Sequence, residues 1–240
     1  MSSNDLKIKI FADGADLDTI KKLNADPLIS GFTTNPSLMK KAGVNDYEKF
    51  SKEVLQIIKE KPVSFEIFSD ELEEMYKQGK KIASWGKNVF VKIPITNSKG
   101  EKTYNLVKKL LEEGIKCNVT AVLTINQVNE IFEISNNNTE LIISIFAGRI
   151  ADTGTDPEKT MIDAIEMCKS KPNIEILWAS TRELLNLFQA EKINCHIITV
   201  PHEILKKVHM IGKDLNQLSL DTVKTFLTDA NNAGFKINVD

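Results

Sequence analysis

Short runs of apolar and β-branched residues alternate with longer amphipathic segments along the whole chain. Eight of these runs are typical of strands: Lys7–Ala12, Ile29–Thr33, Val63–Phe68, Val89–Ile95, Cys117–Val122, Leu141–Phe146, Ile174–Ala179 and His196–Val200. Between them, apolar residues recur at the spacing of one helix face, as in Tyr47–Lys59, Glu71–Ala83, Thr103–Glu113 and Thr160–Lys169. Strands that alternate with helices predict βαβ units and a parallel sheet. Eight such units predict an α/β fold, the closed (β/α)₈ or TIM barrel.

The main alternative is an open, doubly wound α/β sheet. Such a sheet predicts a glycine-rich phosphate loop after the first strand, with GxGxxG or GxxxxGK[ST] spacing. The first predicted strand is instead followed by Asp13-Gly14-Ala15-Asp16, which fits neither pattern. The barrel is therefore favoured.

The segment after the eighth strand predicts a helical extension. Its amphipathic stretches are Glu203–Lys207, Asp214–Gln217 and Leu220–Ala233. Since no Gly/Ser-rich linker divides the chain, we expect one barrel domain over residues 1–240, with residues 203–235 as C-terminal helices. Apolar positions in Val223-Lys224-Thr225-Phe226-Leu227 could contact a neighbouring subunit or fold back on the chain's own barrel, and we expect a homo-oligomer.

The balance of charges limits the kinds of partner that the protein is expected to bind. The 240 residues carry 31 Lys and Arg against 33 Asp and Glu, for a formal net charge of -2. This balance argues against nucleic acid as a partner and leaves room for a local phosphate pocket. Three distant cysteines without CxxC spacing, and histidines without an HExxH pattern, predict no metal, and we expect no cofactor. Without a signal-peptide pattern or an apolar run near 18 residues, the sequence predicts a cytoplasmic protein with no membrane contact.

One lysine lies inside an otherwise apolar strand, Asn88-Val89-Phe90-Val91-Lys92-Ile93-Pro94-Ile95. Because strand side chains alternate between faces, Phe90, Lys92 and Pro94 share one side, which we expect to face the barrel interior. A desolvated amine loses part of its preference for the charged form, and such amines form Schiff bases with carbonyl substrates. The alternative is a structural lysine that pairs with a carboxylate or extends to solvent.

Polar residues at the carboxyl ends of the other predicted strands favour the catalytic interpretation. Barrel active sites lie at that end and draw on several strands. The residues concerned are Asp13, Thr33, Thr34, Asn35, Glu66, Asn118, Thr120, Ser144, Arg149, Ser180 and Arg182.

Several of these segments resemble the motifs of transaldolases and of their short relatives, the fructose-6-phosphate aldolases. They are Phe11-Ala12-Asp13, the run from Gly31 to Leu38 (GFTTNPSL), Val91-Lys92-Ile93-Pro94, Asn118-Val119-Thr120, the run from Ser144 to Ile150 (SIFAGRI) and Ala179-Ser180-Thr181-Arg182. These segments follow one another along this chain in the same order as in the family. The resemblance implies the same (β/α)₈ barrel that the alternation of elements predicts.

The resemblance also implies catalytic roles for four residues. Lys92 would form the Schiff base with a ketose, and Asp13 would take a hydroxyl proton as the carbon–carbon bond breaks. Glu66 and Thr120 would hold a water that moves protons. Glu66 could equally be a buried partner of Lys92, and both descriptions can hold together. For Asp13, capping of the next helix is the weaker alternative because Asp16 is better placed for it.

The remaining matched residues would bind substrate. Thr33 belongs to this group, Asn35 and Asn118 would bind hydroxyl groups or support Lys92, and Ser144 would contact the dihydroxyacetone portion. Asn35 could instead form a turn before Pro36. Three further residues would hold the terminal phosphate, with surface ion pairs as the alternative for the arginines: Arg149, Ser180 and Arg182.

Two positions bear on the reaction type. Within the family, transaldolases have Glu and Phe where this chain has Glu66 and Phe146, whereas the fructose-6-phosphate aldolases have Gln and Tyr. The resemblance thus implies transfer of a dihydroxyacetone unit from sedoheptulose 7-phosphate or fructose 6-phosphate to glyceraldehyde 3-phosphate or erythrose 4-phosphate. The chain's length is instead close to that of the short subfamily. Aldol cleavage that releases dihydroxyacetone remains the alternative, followed by a non-catalytic sugar-phosphate-binding barrel, which would predict loss of Lys92, Asp13 or Glu66.

Overall fold

The computed structural model describes residues 6–239, and they contain a closed barrel of eight parallel strands. Residues 1–5 and 240, the ends of the predicted domain, lie outside the described residues. Each strand pairs with the next along the chain, and the eighth pairs with the first. The strands are Lys9–Asp13 (β1), Ile29–Thr33 (β2), Val63–Glu66 (β3), Val89–Pro94 (β4), Cys117–Val122 (β5), Leu141–Ile145 (β6), Ile174–Trp178 (β7) and Ile197–Pro201 (β8).

Helices connect consecutive strands and surround the barrel. They are Leu17–Asn24 (α1), Pro36–Lys41 (α2), Tyr47–Ile57 (α3), Leu72–Ala83 (α4), Tyr104–Glu112 (α5), Ile125–Ile134 (α6), Ala147–Ala151 (α7), Glu158–Cys168 (α8), Leu185–Lys192 (α9), His202–Leu205 (α10) and Leu215–Asn232 (α11), with a 3₁₀ turn at Val208–Met210. The predicted barrel is confirmed, and the eight strands and four named helices lie within two residues of their predicted bounds. Asp16 caps α1 through the Thr19 amide, as expected.

Side-chain alternation separates two cores. On β4, Val91 and Ile93 point outward into the large core between the strands and the helices. Phe90, two residues before Lys92, points inward and joins a smaller cluster inside the barrel. The cluster consists of Phe11, Phe90, Ile142, Leu177, Ala179 and Ile197, with Phe146 packed against it. The barrel is thus filled by apolar side chains in its lower part, as in other packed barrels, and the polar residues lie above them.

Gly31 on β2 makes room for this interior packing. A methyl group at its α-carbon would lie 2.6 Å from the ring of Phe11, which is 1% exposed. The absence of a side chain at Gly31 therefore lets the Phe11 ring fill the interior below Asp13.

The C-terminal extension differs from its prediction. Asp214–Gln217 and Leu220–Ala233 were predicted as separate helices, but Leu215–Asn232 forms one continuous helix. Asp214 is its N-cap, accepting from the Gln217 amide, and a single serine between two leucines does not interrupt it. No residue of α11 is buried, so of the two alternatives for its apolar positions, packing on the chain's own barrel is not observed, and contact with a neighbouring subunit stays a prediction. Within residues 6–239, no helix has the length and apolar character needed to cross a membrane.

Candidate active site

An open pocket of about 560 Å³ occupies the carboxyl-terminal end of the barrel. Of the twelve residues predicted to form the site, the pocket brings together eleven, which come from seven different strands or the segments that follow them. The pocket is lined by Asp13, Thr33, Asn35, Glu66, Lys92, Thr120, Ser144, Phe146, Arg149, Ser180 and Arg182, among others. Asn118 is the predicted residue that does not line it.

Lys92 lies at the floor of this pocket and is 6% exposed. Its Nζ donates to the Thr34 carbonyl oxygen at 3.0 Å and lies 3.1 Å from Glu66 Oε2. Glu66 is its register partner on the adjacent strand β3, with a side chain that is 15% exposed. The ion pair that was the structural alternative is therefore present, and it lies inside the pocket. Such a carboxylate can accept a proton from the amine.

Asp13 ends β1 on another side of the pocket. Burial raises the pKa of its carboxyl group above the ordinary value, and the charge of Lys92 and a hydrogen bond from Thr33 act in the opposite direction. The Thr33 hydroxyl donates to Asp13 Oδ1 at 2.8 Å. A carboxyl group with a raised pKa is suited to taking up and returning a proton.

Thr120 presents a hydroxyl to the pocket, and its oxygen is buried without a hydrogen-bond partner within the described part of the chain. The next residue, Ala121, has φ of 60°, and the β5–β6 register shifts between Val119 and Val122. A left-handed, non-glycine residue costs about 1–2 kcal/mol, and such irregularities re-aim side chains beside active sites. An unsatisfied buried hydroxyl is a natural anchor for a water molecule or a substrate hydroxyl.

Asn118 lies beneath the pocket rather than in its wall. It is 0% exposed; its amide nitrogen donates to Ser64 Oγ at 2.9 Å, and its Oδ1 accepts from Ser144 Oγ at 2.7 Å. Asn118 is also the register partner of Lys92. Both of these side-chain contacts are to serine hydroxyls rather than to Lys92, and the two roles implied for Asn118 stay predictions. Asn35 lines the pocket and also caps α2, accepting from the Leu38 amide at 3.0 Å.

Phe146 and Arg149 form one wall. Phe146 precedes α7 and packs on the interior cluster below it. The Arg149 guanidinium lies 5.5 Å from the centre of its ring, at a distance typical of a cation–π contact. Arg149 is the first arginine in the sequence, and Phe146 is the aromatic residue nearest to it in sequence. Both side chains line the pocket.

Arg182, the chain's second and last arginine, lies on the same rim. It forms an ion pair with Asp152, in which Nε donates at 3.2 Å to Oδ1, and both side chains are about half exposed. Ser180 has φ of 64° and its carbonyl approaches Gly148 so closely that a methyl group there would lie 1.7 Å from the oxygen. The glycine therefore allows the two arginine-bearing segments to approach one another.

Three contacts at the site were not predicted. Thr199 on β8 is buried, lines the pocket and contacts the Thr33 hydroxyl. The Thr34 carbonyl holds Lys92, and the Tyr47 hydroxyl donates to the Glu66 carbonyl oxygen at 2.7 Å. Thr199 had a signal in the sequence, since it alternates with two outward-facing apolar residues of β8. The contacts of Thr34 and Tyr47 depend on tertiary geometry.

Across residues 6–239, no three or more His, Cys, Asp and Glu side chains are grouped in a way that could hold a metal ion. Lys92, Glu66, Asp13 and the two arginines are the ionic groups lining the pocket. They offer an amine, two carboxylates and two guanidinium groups to a ligand.

Comparison with known proteins gives a consistent result. The sequence profile of the family described as Transaldolase/Fructose-6-phosphate aldolase matches residues 10–240. A "Probable transaldolase" of Thermoanaerobacter sp. (strain X514) is 36% identical over 231 residues, covering 96% of this chain and 100% of the relative. A second "Probable transaldolase", of Nitrosopumilus maritimus (strain SCM1), is 36% identical over 92% of this chain and 94% of its own length. A crystal structure from Burkholderia cenocepacia J2315 shares the fold with a TM-score of 0.58 at 11% identity, over 95% of this chain and 85% of that one.

Proposed function

This chain belongs to the transaldolase/fructose-6-phosphate aldolase family, and from that premise we propose that it transfers a dihydroxyacetone unit between sugar phosphates through a Schiff base on Lys92. The observation that carries the proposal is the buried Lys92 amine at the pocket floor, 3.1 Å from the Glu66 carboxylate. The donor would be sedoheptulose 7-phosphate or fructose 6-phosphate, and the acceptor glyceraldehyde 3-phosphate or erythrose 4-phosphate.

The first step joins the donor to the enzyme. Lys92 passes a proton to Glu66, and its nitrogen lone pair attacks the ketose carbonyl carbon. A proton then moves from that nitrogen to the former carbonyl oxygen. The resulting carbinolamine then loses that oxygen as water and becomes an iminium ion. The proton needed for this loss comes from Glu66 through a water held at Thr120, whose hydroxyl is otherwise without a partner among the described residues.

The second step breaks the carbon–carbon bond. Asp13 takes the proton of the hydroxyl on the fourth carbon, and that oxygen becomes the carbonyl of a departing aldehyde. The electron pair of the bond between the third and fourth carbons moves towards the iminium, which leaves a neutral enamine on Lys92. The raised pKa of Asp13 supports this role, because the proton is accepted without a strongly unfavourable transfer.

The third step decides between transfer and release. The enamine either attacks the aldehyde of an acceptor or takes a proton on carbon. In the first case the aldehyde oxygen takes back the proton from Asp13, and hydrolysis of the new iminium releases the product ketose. In the second case hydrolysis of the iminium releases free dihydroxyacetone. Phe146 lines the pocket beside the site and has no acidic hydrogen. Its position supports transfer, because protonation of the enamine has no phenolic donor there.

Both arginines of the chain support a phosphate ligand at the rim. The chain has only two arginines among its 31 Lys and Arg residues, yet Arg149 and Arg182 both line this one pocket. A guanidinium group binds a phosphate through two parallel hydrogen bonds, which a lysine cannot form. Arg182 would bind the phosphate either in place of Asp152 or together with it.

The test is the acceptor dependence of turnover. The purified protein is given fructose 6-phosphate with and without erythrose 4-phosphate, and release of glyceraldehyde 3-phosphate is followed. Transfer predicts multiple turnovers only when the acceptor is present, and about one equivalent of product per site without it. Equal turnover under both conditions would instead establish the aldolase alternative, and no turnover under either would exclude both enzymes.

A further inference from the structure

The Asp13 carboxylate begins a chain of hydrogen bonds that continues through two buried threonine hydroxyls. The three residues lie on three adjacent strands. The Thr33 hydroxyl on β2 lies 2.8 Å from Asp13 Oδ1, and the Thr199 hydroxyl on β8 lies 2.5 Å from the Thr33 hydroxyl. Thr33 is 2% exposed and Thr199 is 6% exposed. β2 and β8 are the two strands that pair with β1, so the chain encloses the carboxylate from both sides.

The proton count fixes the direction of these hydrogen bonds. A threonine hydroxyl has one hydrogen to donate. When Asp13 is ionised, Thr33 gives its hydrogen to the carboxylate and must therefore accept one from Thr199. Each of the two hydroxyls then donates once, and every hydrogen in the chain has an acceptor.

Protonation of Asp13 on Oδ1, the oxygen that accepts from Thr33, removes this arrangement, and protonation on Oδ2 leaves Thr33 donating to a neutral acceptor, which forms a weaker hydrogen bond than a carboxylate. If the carboxyl donates to Thr33, the Thr33 hydrogen turns to Thr199, whose own hydrogen then needs another acceptor. Within the described residues, the Thr199 hydroxyl has Thr33 as its hydrogen-bond partner and no second one. The chain is thus better satisfied with the carboxylate than with the acid, and hydrogen bonds in series strengthen one another.

We propose that Thr199 is a positioning residue for the carbon–carbon cleavage step, holding the Thr33 hydroxyl in the orientation that keeps Asp13 ionised and aimed into the pocket. This inference rests on the proposed function. The Thr199 strand position is itself fixed, because Thr181 Oγ1 donates to the Thr199 carbonyl oxygen at 2.7 Å.

The ionic surroundings of Asp13 come from other elements. Lys92 on β4 lowers its pKa and Glu66 on β3 raises it, after the larger effect of burial. A cavity on the α10 side of β1 also borders Asp13, and its titratable side chains are Asp16, Lys41, His202, Glu203 and Lys206. The only side-chain hydrogen bond to the Asp13 carboxylate within residues 6–239 is the one from Thr33.

The test uses Thr199→Val, which replaces the hydroxyl by a methyl group, with Thr199→Ala as a second variant lacking the hydroxyl. Thr199→Ser restores the donor. Thr139→Val is the matched control, since Thr139 is 8% exposed and donates to the Leu111 carbonyl oxygen away from the pocket. The single-turnover release of glyceraldehyde 3-phosphate from fructose 6-phosphate, measured from pH 5 to pH 9, reports the cleavage step. Borohydride trapping reports Schiff-base formation separately.

For Thr199→Val we expect the cleavage rate to fall about two- to fivefold, from the loss of one cooperative hydrogen bond in the series. The acidic limb of its pH profile should move upward by about half a pH unit, with the half-saturating substrate concentration and borohydride trapping unchanged. Thr199→Ala should behave in the same direction, and Thr199→Ser and Thr139→Val should match the unmodified protein. Unchanged cleavage and an unchanged limb in both hydroxyl-less variants, or a failure of Thr199→Ser to restore them, would overturn the inference. Absence of trapping in the unmodified protein would instead overturn the proposed function.

Discussion

Glu66 and Lys92 are register partners on adjacent strands, and their Oε2 and Nζ atoms lie 3.1 Å apart in the pocket. The Lys92 side chain is 8% exposed, and the Thr34 carbonyl oxygen is its second acceptor. Of these two acceptors, the carboxylate is the one that can take a proton. A buried ion pair alone is weak evidence for stability, since desolvation offsets much of its Coulombic attraction. Its position at a pocket floor fits a role in proton transfer.

Phe146→Tyr is expected to divert the reaction from transfer towards release. The phenolic hydroxyl adds a proton donor with little change in volume, and a positioned general acid accelerates proton transfer by a factor of about 100 or more. We expect the release of dihydroxyacetone relative to transfer to rise roughly tenfold to a hundredfold. The measurement is product analysis with fructose 6-phosphate and erythrose 4-phosphate. Phe146→Leu, which removes the ring without adding a donor, should leave release low, and an equal rise in both variants would contradict this account.

Arg149→Ala should weaken the binding of phosphorylated substrates. Loss of a hydrogen bond from a charged donor to an anion costs about 1.5–3 kcal/mol, which corresponds to about ten- to a hundredfold in affinity. The half-saturating concentrations of fructose 6-phosphate and of unphosphorylated fructose are compared. Arg149→Lys keeps the charge without the forked geometry and should give an intermediate loss. Equal losses for both sugars would show that Arg149 acts on the structure of the wall instead.

Arg182→Ala should follow the same pattern with a smaller loss. Its guanidinium already neutralises Asp152, so part of its charge is not free for a phosphate. The comparison of the same two sugars measures the effect. A larger loss than that of Arg149→Ala would contradict the expectation that the ion pair with Asp152 weakens the contribution of Arg182.

His196 makes folding stability depend on pH near neutrality. Its Nδ1 accepts from the Ile176 amide at 2.9 Å and so supports the short β7–β8 pairing. Burial lowers the pKa of His196, with the charge of Lys9 acting in the same direction and that of Glu175 opposing it. As pH falls below about 6.5, the unfolded chain takes up a proton before the folded one, and the free energy of unfolding should decrease. That decrease ends once the folded form is protonated as well.

The measurement is urea unfolding between pH 7.5 and pH 5.5, with His196→Asn as the matched variant. The Asn carbonyl oxygen can still accept from the Ile176 amide but does not titrate in this range. The variant should therefore show a flatter dependence on pH than the unmodified chain. Identical slopes would contradict the role assigned to His196.

The fold could be predicted because its signals are local. Each strand is a short run of mainly apolar and β-branched residues, and the regular alternation of such runs with helical segments indicates parallel pairing. The error lay at the C-terminus, where Asp214–Gln217 and Leu220–Ala233 were predicted as separate helices, although Leu218 and Ser219 between them continue a single helix. Burial gives no additional signal for this helix, since no residue of α11 is buried.

The candidate site could be predicted where a polar residue interrupts an apolar strand, as Lys92 does. Asn118 shows the limit: the sequence places it one strand away from Lys92, but its depth below the pocket depends on where the Ser64 and Ser144 hydroxyls lie. The Arg182–Asp152 ion pair likewise depends on the close approach of Gly148 to Ser180, which no local pattern indicates.

Borohydride trapping tests the central claim about Lys92 most directly. The protein is incubated with fructose 6-phosphate and borohydride, and the modified peptide is identified by mass spectrometry. Lys92→Met keeps a long apolar side chain and removes the amine, and Lys116→Met is the control at the opposite end of the barrel, where Lys116 pairs with Glu140. Circular dichroism verifies that both variants fold. We predict that the unmodified protein and Lys116→Met gain one reduced adduct on the peptide containing Lys92, and that Lys92→Met gains none and does not turn over. A covalent adduct on Lys92→Met, or turnover by that variant, would contradict the Schiff base on Lys92.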